Sequence, residues 1–412
     1  MRYNTDTLSC GLRVIHLPAD SPIVYCGFGV RAGSRDEQKG DEGLAHFCEH
    51  TTFKGTRRRT ALQVIGALEG VGGELNAYTN KEETVYYAAI LREHAARAVD
   101  LLCDIVFHSV YPQNEIDKEV DVICDEIESY NDSPAELIYD EFDNLLFADH
   151  PLGHNILGEA DRLRTYTTAD ALRFTSRHYR PDNAVFFISG DVNFRSITRR
   201  LEESLSDTLG PASAAAQPLE SLPASPVLPR SATVVRERGT HQAHVMVGTL
   251  GCAASDERRM ALYLLNNIIG GPSMSSRLNL AMRERRGLVY TVESSAVSYR
   301  DTGVWNVYFG CDAADVERCL RLLRREMSHM AEHRLSDRQL LRAKRQIKGQ
   351  IGVACDNRET FALDFGKSYL QYGLERHLST LFERIDAVSA DDIKRAAEET
   401  FAPDRLITLI YK

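Results

Sequence analysis

Short runs of β-branched and aromatic residues alternate with longer amphipathic stretches along this chain, and the same order of elements occurs twice. Residues 23–30, 84–90 and 183–189 are rich in valine, isoleucine, phenylalanine and tyrosine, and each is short enough to form a strand. Residues 243–250, 288–297 and 302–311 match them in the second half. Elsewhere apolar positions recur at helical spacing, most clearly over 92–108, 114–130 and 135–146. The opening residues, 1–8, alternate in the manner of a strand. Strands mixed with helical hairpins predict an α+β fold, a sheet covered on one face by helices.

The repetition is clearest where each half closes. Ala169-Asp170-Ala171-Leu172 is followed by Arg180-Pro181-Asp182-Asn183-Ala184, and Ala390-Asp391-Asp392-Ile393 by Ala402-Pro403-Asp404-Arg405-Leu406. The offset is 221 residues between Asp170 and Asp391 and 222 between Pro181 and Pro403, as an internal duplication with a small insertion would leave it. A stretch rich in proline, alanine and serine separates the halves. It predicts two duplicated domains, 1–209 and 231–412, joined by a linker over 210–230. A length of 412 residues already exceeds one ordinary core.

Charge and cysteine content narrow the function classes. The net charge of −10 argues against a general nucleic-acid binder and reads most simply as solubility. No apolar run is long enough to span a bilayer, so no membrane association is expected, and residues 1–8 lack the apolar core of a signal peptide. Nine cysteines, an odd number without a C-x-x-C pair, suggest reduced thiols and a cytoplasmic setting.

The chemistry concentrates in His46-Phe47-Cys48-Glu49-His50. Two histidines four apart share a helical face and can share a metal, with Glu49 beside them. Two imidazoles and a third protein ligand make a zinc site that keeps one position open for water, and an adjacent carboxylate can take that water's proton. The H-x-x-E-H order is that of inverted zinc peptidases. His329-Met330-Ala331-Glu332-His333 repeats the string, but at the tail of an amphipathic run and just before a helix start at Ser336-Asp337. That context predicts an exposed helix end. Cys48, inside the first motif, is expected to pack, with thiol sensitivity as the alternative.

Only the first copy has carboxylate partners downstream. Residues 115–127 form an acidic helical pattern, in which Glu119 and Glu126 lie two turns apart on one face that could meet the histidine helix. The corresponding position for the second copy is Leu409. In the second half, residues 258–282 replace the histidine helix and contain no histidine, aspartate or glutamate.

These residues resemble the M16 (pitrilysin-like) zinc metallopeptidases, and specifically the half-length branch near mitochondrial and bacterial processing peptidases. The resemblance covers essentially the whole chain. It rests on Gly33-Ser34-Arg35, 43–50, Gly72-Gly73-Glu74-Leu75-Asn76-Ala77, Asp125-Glu126-Ile127, 270–278 and 283–290. It implies a duplicated domain built on a mainly antiparallel sheet covered by helices. It also implies one zinc ion held by His46, His50 and Glu126, with Glu49 as catalytic base and Glu119 orienting the ligands. Arg283 and Tyr290 in the second half would contact substrate and steady the oxyanion of an attacked peptide bond. Asn76 and Ala77 would contact an extended peptide added to an edge strand.

The expected function is zinc-dependent hydrolysis of unstructured peptides in a closed chamber, the water being activated by zinc and Glu49. Four such domains enclose the chamber in full-length relatives, so a two-domain chain implies a homodimer in which Arg283 and Tyr290 serve the partner's zinc. A heterodimer with a sister chain is the variant of that arrangement. A catalytically silent scaffold, the role of some relatives in respiratory complexes, is the alternative function.

Overall fold

The computed structural model describes residues 2–206, 226 and 230–412. Apart from 226 and 230, the expected linker lies outside the described residues. The described strands form two sheets. The first contains β1 (Asn4–Thr7), β2 (Arg13–Pro18), β3 (Ile23–Val30), β4 (Glu74–Thr79), β5 (Thr84–Leu91) and β6 (Ala184–Gly190) in the spatial order β1-β2-β6-β3-β5-β4. All its pairings are antiparallel except β2 with β6. The second contains β7 (Ala232–Arg236), β8 (Ala243–Leu250), β9 (Val289–Ser298), β10 (Gly303–Cys311) and β11 (Ile407–Tyr411) in the order β7-β11-β8-β10-β9, with only β7 and β11 parallel.

The six strand runs expected from sequence become β3, β5, β6, β8, β9 and β10, and the three helices form over Ala95–His108, Gln113–Asn131 and Pro134–Leu146. The duplication is visible in matched details. The Thr168–His178 helix is preceded by Thr167, whose N–H donates to Asp170 Oδ2 at 2.9 Å, and the Ala390–Thr400 helix by Ser389, whose N–H donates to Asp392 Oδ2 at 2.8 Å. Each helix is followed by a 3-10 turn opened by proline, Pro181–Asn183 or Pro403–Arg405, and then by a buried strand, β6 or β11.

The expectation of helices on one face needs extension. Every residue of β6 is buried. Ala184, Phe186 and Ile188 join the core that includes the Leu44–Thr52 and Ala95–His108 helices, whereas Val185 and Phe187 join a second cluster with Ile15, Phe361, Phe365 and Leu370. Since successive side chains of a strand point to opposite faces, both faces of this sheet are covered. The second cover is the Arg358–Tyr372 helix, packed on β3 and β6.

That helix comes from the other half of the sequence. The chain forms two compact units, and their membership does not follow the 209/231 division throughout. The first unit holds the first sheet and takes in the Arg358–Tyr372 helix; the second holds the second sheet and takes in the Pro134–Leu146 helix. Pro134–Leu146 buries Ile138, Phe142 and Leu146 with Met246, Leu409 and Tyr411, packing on β8 and β11. Each half of the sequence therefore supplies one helix that is a member of the unit built mainly from the other half. No described helix is long and apolar enough to cross a membrane.

Candidate metal centre

The histidine motif forms the Leu44–Thr52 helix of the first unit. Its entry is built around Gly43, at φ +90°, where a Cβ would meet Gly158 Cα and Leu157 O at 2.8 Å. Glycine adopts that conformation without the penalty other residues incur. Glu37 satisfies the helix start: Oε2 accepts from Gly43 N–H at 3.0 Å and Oε1 from Ala45 N–H at 2.7 Å. Burial pushes the Glu37 carboxyl up to about 7, opposed by hydrogen bonds from His154 and those two amides.

His46 and His50 leave this helix on one face, their rings 4.6 Å apart. The Gln113–Asn131 helix brings Glu126 and Glu119 to them from positions two turns apart on one face. Glu126 Oε2 lies 3.3 Å from His50 Nε2 and 3.8 Å from His46 Nε2. Glu119 takes the other side of His50, with Oε1 at 3.1 Å from Nδ1, and its Oε2 is 2.5 Å from Lys54 Nζ. Burial lowers the His46 pKa to about 3, so the ring is neutral. Burial also works to raise Glu119, but hydrogen bonds from His50 and Lys54 outweigh it and leave the carboxyl below its usual range.

This donor set fits a divalent metal. In the neutral His50 ring, the form that binds a metal, the Glu119 hydrogen bond places the proton on Nδ1 and leaves a lone pair on Nε2. Both Nε2 atoms and a Glu126 oxygen then converge within 4.8 Å, the sole such cluster among the described residues. Lone pairs so arranged repel one another unless a cation lies among them. Tetrahedral zinc bonds of about 2.1 Å place ligand atoms about 3.4 Å apart, close to the separations found here. His46 Nδ1 is buried without a hydrogen-bond partner, so only its Nε2 is engaged with the cluster.

Glu49 is buried one residue before His50. Burial raises its pKa, while a hydrogen bond from Thr79 and the charge of His50 pull the other way. It lines a cleft of about 570 Å³ with His50, Lys54 and Glu119. Phe53, Ile65 and Leu75 give the cleft apolar lining, and Glu69 and Glu74 add carboxylates. Asn76 and Ala77 lie in the same cleft on β4, the edge strand, in register with Tyr87 and Tyr86 of β5. The Asn76 side chain accepts a 2.9 Å hydrogen bond from Ala77 N–H.

Arg283 and Tyr290 belong to the second unit. Arg283 sits in a π-helical turn, Asn279–Glu284, and its guanidinium lies 5.7 Å from the centre of the Tyr290 ring. Tyr290 is 81% exposed. The second H-x-x-E-H closes the exposed end of the Val316–Glu332 helix, where His329 and His333 stack on each other without a carboxylate cluster, as expected. Cys48 is fully buried, its thiol directed at Ala171 O at 3.9 Å, and burial pushes its pKa far up; this is the packing role.

Sequence reasoning overlooked Lys54, Glu37 and Thr79. Thr79 carried a signal, since it continues the alternation Leu75, Ala77, Thr79 along one face of β4. Glu37 carried none, because a glutamate in a polar loop has no periodicity to betray its burial.

The fold and the inverted histidine motif together define a metallopeptidase-type domain pair, and the comparisons with known proteins give the family. Residues 14–160 match the family described as insulinase (peptidase family M16), and residues 165–347 match the peptidase M16 inactive domain. An uncharacterized zinc protease of Streptomyces coelicolor is 35% identical over 396 residues, 95% of this chain and 86% of that protein. The uncharacterized zinc protease YmxG of Bacillus subtilis is 30% identical over 389 residues, 94% of this chain and 92% of that protein. In fold the chain is similar to a protease from Helicobacter pylori, with a TM-score of 0.89 at 22% identity, covering 100% of this chain and 99% of that one. The chain belongs to the M16 peptidase family.

Proposed function

We propose that this protein is a zinc-dependent endopeptidase acting on unstructured peptides. The observation that carries the reading is the convergence of His46, His50 and Glu126 beside a buried Glu49 at the foot of an open cleft. The second half matches a domain described as inactive, which agrees with its lack of metal ligands and leaves the chemistry to the first half. His46, His50 and Glu126 would hold the metal, with Glu119 fixing the His50 ring and Lys54 fixing Glu119. Zinc bound there would supply an acidified water and polarise the peptide carbonyl.

The chain's own groups do the rest. Glu49 removes a proton from the attacking water and delivers it to the leaving amine. The free edge of β4, at Asn76 and Ala77, pairs with the main chain of an extended peptide, an arrangement that would favour unfolded substrates. Arg283 and Tyr290 donate hydrogen bonds to the substrate carbonyl from the second unit of a partner copy, the protein working as a homodimer. Its nine free thiols support a cytoplasmic setting.

The reading is tested with a panel of quenched, unstructured peptides. Turnover should be lost with a chelator, restored by zinc and absent in Glu49→Gln. Mixing Glu49→Gln with Arg283→Ala subunits should recover activity if the pair acts across a dimer; no recovery after subunit exchange would rule out that arrangement.

A further inference from the structure

We propose that Thr79 is a positioning residue for Glu49, tying the peptide-binding edge strand to the orientation of the base. The inference rests on the peptidase reading. Thr79 Oγ1 donates a 2.6 Å hydrogen bond to Glu49 Oε2. It is the last residue of β4, in register with Thr84 of β5.

The neighbouring hydroxyl makes that donation directional. Thr84 is fully buried, and its Oγ1 donates to Ala32 O at 2.9 Å. With its proton so committed, Thr84 can only accept from Thr79, which lies 3.3 Å away. A hydroxyl has one proton. While Glu49 is ionised, the shorter contact with the carboxylate takes the Thr79 proton, because hydrogen bonds to a charged acceptor are the stronger ones. The bond at Oε2 fixes the rotation of the Glu49 carboxylate, and with it the direction of Oε1.

The position of Thr79 gives the bond its consequence. β4 is the strand whose free edge would accept peptide, and it packs against the Leu44–Thr52 helix that carries Glu49. The hairpin tip beyond Thr79 is held from the other side of the sheet. Glu83, 1% exposed, receives Lys367 at 2.5 Å and Gln371 at 3.0 Å from the Arg358–Tyr372 helix. Asn80 N–H closes the tip on Glu83 O at 2.8 Å. The hydroxyl thus sits at the anchored end of β4, and Glu49 takes its orientation from it.

The test compares Thr79→Val, an isostere without the hydroxyl, and Thr79→Ser, which restores it, in the zinc-loaded full chain on one quenched peptide. Thr79→Val should lower kcat about 10- to 100-fold with KM unchanged, the size expected for losing a hydrogen bond to a charged group. Thr79→Ser should stay within about threefold of wild type. A second arm needs no turnover. In thermal unfolding of the metal-free protein, the loss of Tm caused by Thr79→Val should shrink in a Glu49→Ala background, because the partner is already gone. Unchanged kcat in Thr79→Val, a loss confined to KM, or additive Tm losses would each overturn the inference while leaving the peptidase reading intact. Absence of turnover in zinc-loaded wild type would instead remove that reading, and this one with it.

Discussion

His50 is held between two carboxylates, Glu119 at Nδ1 and Glu126 at Nε2, and Lys54 holds the far oxygen of Glu119. Such outer partners typically change metal affinity about 10- to 100-fold when removed. We therefore expect Lys54→Met to lower zinc affinity by about that factor, measured by competition with a chelating dye, and Lys54→Arg to recover much of it. An unchanged affinity would mean Glu119 holds His50 without help. At this scale the pairing of His46 with His50 was legible in sequence, because a four-residue spacing on a helix is a statement about geometry, and their meeting with Glu126 was expected from the family resemblance. The supports were not legible. Lys54 lies beyond the end of the Leu44–Thr52 helix, and its approach to Glu119 depends on how two helices cross.

The histidine helix depends on its entry as much as on its own residues. Gly43→Ala would place a methyl group 2.8 Å from Gly158 Cα and Leu157 O in a left-handed conformation, so we expect a loss of about 1–3 kcal/mol in unfolding free energy and poorer zinc retention. Glu37 gives this element a pH dependence. Its carboxyl titrates near 7 in the folded chain against an ordinary value of 4.5. A raised value means a stabilising contribution that is complete below about 4.5 and lost as pH rises through 7. Glu37→Gln, which stays neutral, should accordingly compare better with wild type at pH 8 than at pH 5, by up to about 3 kcal/mol in denaturant titrations. A constant difference between the two would contradict this account of Glu37. Strands with dense β-branched and aromatic content were read from sequence nearly to the residue. β2 and β7 were not among them, since β7 is an exposed edge and Arg13 and His16 interrupt the apolar character of β2; β11 was expected only as a closing strand without bounds, despite its β-branched run Ile407–Tyr411.

For the whole molecule, the duplication was legible and its consequence for packing was not. Sequence places a single division near 210–230, whereas each compact unit borrows a helix from across it. Periodicity shows that a helix has an apolar face, but not which sheet that face meets. The borrowed Arg358–Tyr372 helix covers Ile15, Val185 and Phe187, which would otherwise be exposed. Residues 1–209 produced alone should therefore aggregate or bind a hydrophobic dye, and co-production with 231–412 should restore a folded, zinc-binding species. A soluble, cooperatively unfolding N-terminal fragment would show that the exchange is dispensable.

If one metal cluster and Glu49 together hydrolyse peptides, a zinc titration of the metal-free protein will show it. Peptide turnover should rise linearly and level off at one equivalent of zinc per chain, while Glu49→Gln binds the same equivalent and stays silent. Wild type that fills its site without cleaving any peptide of the panel, or Glu49→Gln that cleaves as wild type does, would rule out peptide hydrolysis by this pair.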